Sequence, residues 1–308
     1  MHYTEGWADG FRYDIEYWEI WNEPDCTNPD GSNPCWQGTQ EEFNELYCIA
    51  ATYLKNRFPH LKIGGPAFAS VSKRYEMVDK FLSTVSEKKA PLDFFSFHRY
   101  TNEVKKVADV VEIVKELLEK NKLTGSELIL NEWNYVKGWI GSEFEYSLDV
   151  QRGIKGSSFI ASVMAVGQKS GLDMLMYYDA RPCDFNGMFD DKFAPLKGYY
   201  PFLMFKELLD LGTYIRTDDA DDIYTCAATD GQNHAVMLSY YNADDNSTAK
   251  EIVIECENGE SALKAEYYIL DENNDMVLTR EEFFTTGRFN IYLKMNLFTT
   301  YFIRFTKF

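Results

Sequence analysis

The sequence predicts an α/β region, a parallel sheet lying beneath helices, followed by an all-β antiparallel region. Three observations carry this. From Tyr17 to about Leu211, short apolar strands alternate with segments whose apolar residues recur at helical spacing. After Gly212 the helical period is lost, and strand-like runs alternate with turn clusters. Polar side chains fall just beyond the apolar strand cores rather than inside them.

The first strand, Tyr17-Trp18-Glu19-Ile20, runs into Trp21-Asn22-Glu23-Pro24. Thr39-Gln40-Glu41-Glu42 reads as a capping box opening a helix to about Phe58, with Phe43, Leu46, Tyr47, Ala50, Ala51 and Leu54 on its apolar stripe. A strand at Leu61–Gly65 precedes a helix over Tyr75–Glu87. A strand at Leu92–Phe97 precedes a helix over Val104–Asn121. Leu128–Leu130 is a strand, Leu148–Lys169 a helix and Asp173–Tyr178 a fifth strand. A helix over Phe202–Leu211, capped by Gly212, closes the region. Asn22, Glu23, His98, Glu132 and Asp179 all follow apolar strand cores, the end at which (β/α)8 barrels hold their active sites. Five βα units are visible, whereas a closed barrel needs eight, so the expectation is a partial (β/α)8 TIM barrel.

Beyond Gly212, Ile223–Thr229, His234–Asn242, Lys250–Cys256, Leu263–Leu270 and Phe289–Phe305 read as strands of a C-terminal antiparallel β-sandwich. The expected domains are 1–211 for the barrel and 212–308 for the sandwich.

Charge narrows the function classes. The chain has 31 basic and 49 acidic residues, a net charge of −18, which disfavours nucleic acid and anionic membrane as partners. No apolar stretch approaches the roughly 20 residues of a membrane helix. Residues Met1–Asp14 lack the charged start and apolar core of a secretory leader, so the chain is expected to be cytoplasmic if Met1 is the native start. The 21 Tyr, 22 Phe and 6 Trp suit the apolar faces of sugar rings and equally suit a large aromatic core.

No metal or cofactor is expected. None of the six cysteines forms a CxxC pair, and no His/Cys cluster stands out. Asp271-Glu272-Asn273-Asn274-Asp275 partly mimics a calcium loop, but Met276 stands where Gly is required, so a hairpin turn is the reading. Gly64-Gly65-Pro66 lacks phosphate-loop spacing and reads as a barrel-strand turn. Cys26 and Cys35 bracket a loop just after Glu23. A bridge there would stiffen the rim of the site, and free thiols are the favoured reading.

The chemistry centres on two glutamates. Glu23 and Glu132 each follow an apolar strand and each is preceded by Asn. Cleavage of a glycosidic bond needs one carboxylic acid to protonate the leaving oxygen and a second carboxylate to attack or stabilise the cationic sugar. Glu23 and Glu132 are the expected pair, one in each role. Asn22 is expected to bind the sugar 2-hydroxyl and orient Glu23. His98, Tyr100, Trp133 and Tyr177 are candidates for the sugar pocket, with core packing an equal reading for the three aromatics. Glu19, on the same strand and face as Glu23, is expected to lie deeper and tune a neighbouring group, or to bind an Arg.

At these residues the chain resembles glycoside hydrolase family 39, within the clan of (β/α)8 retaining glycosidases. Trp18-Glu19-Ile20-Trp21-Asn22-Glu23-Pro24 resembles the family's fourth strand with its acid/base. Lys62-Ile63-Gly64-Gly65-Pro66-Ala67 is similar to the fifth, and Asp93–Tyr100 to the sixth, with a substrate-contacting His98. Leu130-Asn131-Glu132-Trp133-Asn134 is similar to the seventh, with the nucleophile, although Asn131 stands where members more often have Thr. Met174–Tyr178 corresponds to the eighth. The family's first three strands have no counterpart here. The resemblance implies a retaining hydrolase of pentose-containing plant glycans, β-xylosides or arabinosides. Another sugar (galactoside, glucoside or iduronide) and an inactive carbohydrate-binding remnant are the alternatives. An open five-stranded sheet would expose an edge, so a homo-oligomer covering that edge is expected.

Overall fold

The computed structural model describes residues 3, 5–28, 30–258, 262–285 and 287–307. The leader reading over Met1–Asp14 therefore falls partly outside the described residues, at Met1, His2 and Thr4. Strands β1 (Tyr17–Glu19), β2 (Lys62–Phe68), β3 (Phe94–Thr101), β4 (Glu127–Tyr135) and β5 (Met174–Tyr177) form one sheet in sequential order. Its parallel register sets Tyr17 opposite Lys62 and Gly64 opposite Phe94. Helices α1 (Gln40–Arg57), α2 (Tyr75–Lys88) and α3 (Lys105–Lys120) connect the first four strands. This is the parallel half-barrel that the alternation predicts.

The chain packs as two compact units, residues 1–99, 109–133 and 171–176 forming one and residues 100–108, 134–170 and 177–308 the other. In the first unit the capping box is present. Thr39 Oγ1 accepts from the Glu42 N–H at 3.2 Å, and Glu42 Oε2 accepts from the Thr39 N–H at 2.8 Å. Tyr47 and Phe68 both set an edge on Phe81, at 4.9 and 5.5 Å between ring centroids. Phe68 also stacks on Phe95, so helix and sheet share one buried aromatic column.

In the second unit the expected single helix over Leu148–Lys169 is two, α4 (Gly141–Arg152) and α5 (Ile154–Ser170). Gly153 between them is extended, at φ −106° and ψ −174°. A Cβ at Gly156 would lie 2.3 Å from the Val150 carbonyl oxygen, so the fold back requires glycine there. Almost every residue of α5 is buried, because it packs on α6 (Tyr200–Leu211) and on strands of the sandwich.

The sandwich sets a six-stranded sheet against a two-stranded one. Its strands are β6 (Thr213–Ile215), β7 (Ile223–Thr229), β8 (His234–Tyr240), β9 (Lys250–Asn258), β10 (Leu263–Leu270), β11 (Asp275–Phe284), β12 (Gly287–Met295) and β13 (Thr300–Lys307). The larger sheet has the order β11-β10-β13-β8-β7-β6, and β12 pairs with β9. Val236, Leu238, Leu263, Ala265, Tyr267, Ile291 and Met295 fill the space between them. The expected strand Phe289–Phe305 is two strands, because the chain turns at Asn296–Thr299, where Phe298 has φ +66°. Strands β6 and β11 were not expected. At the Asp271 turn, Asp271 Oδ1 accepts from the Asn273 and Asn274 N–H groups at 2.9 Å, as a hairpin requires. Among the described residues, no helix is long and apolar enough to cross a membrane.

Candidate active site

The site grows from the end of β1. Beyond Glu19 the ladder to β2 continues, the Ile20 N–H donating to the Gly64 oxygen at 2.9 Å and the Glu23 N–H to the Ala67 oxygen at 3.0 Å. Trp21 and Glu23 both adopt left-handed backbone, with φ of +74° and +50°. Such conformations cost free energy for residues with a side chain and persist where the surroundings enforce them. Two glycines do so here. A Cβ on Gly64 would meet the Phe94 oxygen at 2.2 Å, and one on Gly65, at φ +130°, would meet the Ile20 oxygen at 2.9 Å. Only glycines let β1, β2 and β3 approach this closely. The Gly-Gly-Pro segment, expected as a turn, lies within β2, where its glycines allow the close approach of the neighbouring strands.

The turn after Glu23 is fixed by Asp25, which sequence reasoning passed over. Its carboxylate is 5% exposed and accepts the N–H groups of Ala69 and Ser70 at 2.8 and 2.9 Å. Burial pushes the Asp25 carboxyl up, and those two bonds only partly offset it.

His98 joins the two glutamates. It lies on β3, 1% exposed, with Nδ1 2.7 Å from Glu23 Oε1 and 3.5 Å from Glu132 Oε2. One oxygen of each glutamate and a ring nitrogen of His98 all lie within 4.8 Å of one another. A carboxylate oxygen cannot donate to an unprotonated nitrogen, so the 2.7 Å contact contains a proton, carried either by Nδ1 or by Glu23. His98 Nε2 is buried with no hydrogen-bond partner among the described residues. Both glutamate side chains keep about a fifth of their surface in solvent, at 21% and 23%, which leaves them accessible to a substrate.

A third carboxylate sits behind the pair. Asn131 Nδ2 donates to both oxygens of Glu19, at 2.9 and 3.1 Å. Desolvation raises the Glu19 pKa, the Glu132 charge adds to this, and Ser96, His98 and Asn131 oppose it. Glu19 is nonetheless solvent-exposed, where its sequence suggested a deeper place in the barrel. The i, i+4 relation of Glu19 to Glu23 was the signal for this residue in the sequence.

The other candidates are distributed as follows. Asn22 is solvent-exposed beside Glu23. Trp133 is 1% exposed and, adjacent to Glu132 on a strand, points to the opposite pleat. Tyr100 and Tyr177 belong to the second unit. There Tyr100 meets Trp139 and Phe185 at 5.0 and 5.9 Å between centroids. The Tyr177 ring lies edge-on to Phe202 at 5.8 Å, with its hydroxyl against Asn134 and Gly187.

Among the described residues, two groups have the geometry to ligate a cation. One is Glu23–His98–Glu132 and the other Glu23–Cys26–Cys35, each with ligand atoms within 4.8 Å of one another. The second departs from the sequence reading, which found no cysteine cluster. The eight residues between Cys26 and Cys35 match no metal motif, and only loop closure brings the sulfurs together. All six cysteines are free thiols.

Fold and site together define a partial (β/α)8 barrel, with a glutamate pair at its strand ends and a β-sandwich following. Residues 12–134 match the model for glycosyl hydrolases family 39. It is 36% identical over 97 residues to a β-xylosidase of Geobacillus stearothermophilus, covering 30% of this chain and 18% of that protein. It is 33% identical over 88 residues to a β-xylosidase of Caldicellulosiruptor saccharolyticus, covering 29% and 16%. The matched stretch thus spans less than a fifth of either relative. In fold, the chain is similar to a glucosidase from Croceicoccus marinus, with a TM-score of 0.80 at 20% identity, covering 100% of this chain and 72% of that one. It is also similar to a family 39 enzyme from Xanthomonas axonopodis pv. citri, with a TM-score of 0.72 at 15% identity, covering 94% and 68%.

Proposed function

We propose that the protein is a retaining glycoside hydrolase acting on pentose-containing plant glycans, β-xylosides or arabinosides. The observation that carries this reading is the approach of Glu23 and Glu132, with an oxygen of each within 4.8 Å. Retaining enzymes hold their carboxyl groups about 5–5.5 Å apart, and inverting ones about 6.5–9.5 Å apart to admit a water. The short separation supports attack by a protein carboxylate. The pentoside class draws its support from the two β-xylosidases.

In this mechanism Glu23 gives its proton to the glycosidic oxygen as Glu132 attacks the anomeric carbon. The C–O bond breaks, the alcohol leaves and a glycosyl ester forms on Glu132. Glu23, now a carboxylate, takes a proton from water, and the resulting hydroxide character at oxygen displaces Glu132. His98 holds Glu23 in place and shares its proton. Residues 1–211 are the catalytic part and 212–308 the sandwich domain. Strands β1 and β5 are the edges of the sheet, and Trp18 and Met176 are 38% and 46% exposed, which supports a second copy as the cover.

Product analysis on aryl glycosides and on xylose- and arabinose-containing polysaccharides tests the reading. Sugar release by the native chain that disappears in Glu132→Gln is the expected result. Binding without release by either protein would instead make the chain a carbohydrate-binding remnant.

A further inference from the structure

Beside the acid/base glutamate lie two cysteines that the glycosidase chemistry does not use. The Cys26 and Cys35 sulfurs and a Glu23 oxygen lie within 4.8 Å of one another, and all three residues are only partly buried. Each is held by its backbone. The Cys26 N–H donates to the Glu23 carbonyl at 3.0 Å, closing a tight turn. Asn33 clamps the far end of the loop, its Nδ2 donating to the Pro24 oxygen at 2.7 Å and its Oδ1 accepting the Cys35 and Trp36 N–H groups at 2.8 and 2.9 Å. The indole N–H of Trp21 donates to the Cys35 carbonyl at 3.1 Å. Two sulfurs and a carboxylate, preorganised and open to solvent, match a tetrahedral ion that accepts S and O ligands with water in its fourth position.

We propose that Cys26, Cys35 and Glu23 form an inhibitory site for a thiophilic divalent cation of the zinc class. A cation enters by displacing the protons of both sulfurs, with no change of oxidation state. The bound ion occupies the Glu23 lone pair that otherwise carries the catalytic proton. The inhibitory half rests on the reading of Glu23 as the acid/base; the binding half does not.

Cobalt titration of the full chain, under a non-chelating phosphine reductant, tests both halves. One equivalent of Co2+ should produce thiolate-to-cobalt charge-transfer absorption, and Zn2+ should abolish it by displacement. Cys26→Ser and Cys35→Ser, each checked by thermal melting, should weaken binding by more than about a hundredfold, beyond the loss from disturbing a ligand's own hydrogen-bond partner. Both variants should keep the metal-free glycosidase rate and lose inhibition by Zn2+. Absence of the charge-transfer band, or cobalt binding unchanged in both variants, overturns the site. The band with an unaffected glycosidase rate overturns the inhibitory half alone. If the chain hydrolyses no glycoside, the spectrum still decides the binding half.

Discussion

Glu23 and Glu132 are chemically identical side chains, and the proposed mechanism divides the work between them by their surroundings. Glu23 has the close His98 contact, at 2.7 Å, that carries a proton, whereas Glu132 lies 3.5 Å from the same nitrogen. The account therefore predicts opposite sensitivities to the leaving group. Glu23→Gln should slow hydrolysis of alkyl glycosides by about a hundred- to ten-thousandfold, yet barely affect dinitrophenyl glycosides, whose first step needs no protonation. Glu132→Gln should lose both. Equal losses on both substrate types in the two variants, read from kcat/KM, would contradict the assignment. The glutamates were legible in the sequence because Asn-Glu after an apolar run is a local signal, and His98 because it ends a strand. The Cys26–Cys35–Glu23 group was not, since its geometry depends on Asn33 bonding back to Pro24. Nor was the role of Asp25, which depends on two N–H groups more than forty residues away.

At the scale of elements, local signals with a chemical mechanism were read correctly. The Thr39 capping box and the Gly212 cap bound their helices where expected, the latter with Gly212 at φ +82°. Misreadings arose where a single residue redirects the chain inside a continuous apolar pattern. Gly153 does so between α4 and α5, and Phe298 in the turn before β13. Hairpin chemistry supplies a pH test. In the turn between β7 and β8, Asp230 Oδ1 accepts the Gln232 and Asn233 N–H groups at 2.7 Å, and these bonds lower its pKa from 3.8 to about 2. The native state thus binds fewer protons here than the unfolded chain between those values. The stabilisation is complete above the unfolded pKa and is lost as pH falls through the folded one. The difference in stability between the native chain and Asp230→Ala, from denaturant melts, should shrink as pH drops across that interval. A constant difference would contradict this.

At the scale of the whole molecule, half a barrel carries the glutamate pair. Its five strands form one parallel sheet, with Glu23 just beyond the first and Glu132 on the fourth. The sheet ends in unpaired edges with Trp18 and Met176 partly in solvent. Multi-angle light scattering should give a dimer or larger assembly, and substitution of Trp18 by Lys should shift it toward monomer. A monodisperse native monomer would contradict the proposed cover. The count of strands was legible in the sequence, but how the open sheet is shielded is not a property of any local pattern.

The most direct test of the central claim, that Glu132 attacks the sugar while Glu23 manages the proton, is mechanism-based trapping. The native chain would be incubated with a 2-deoxy-2-fluoro aryl xyloside bearing an activated leaving group, then mapped by peptide mass spectrometry. The account predicts one fluoroxylosyl group, on Glu132, and none in Glu132→Gln. Turnover of aryl xylosides without any labelled peptide, or a label on Glu23, would contradict it.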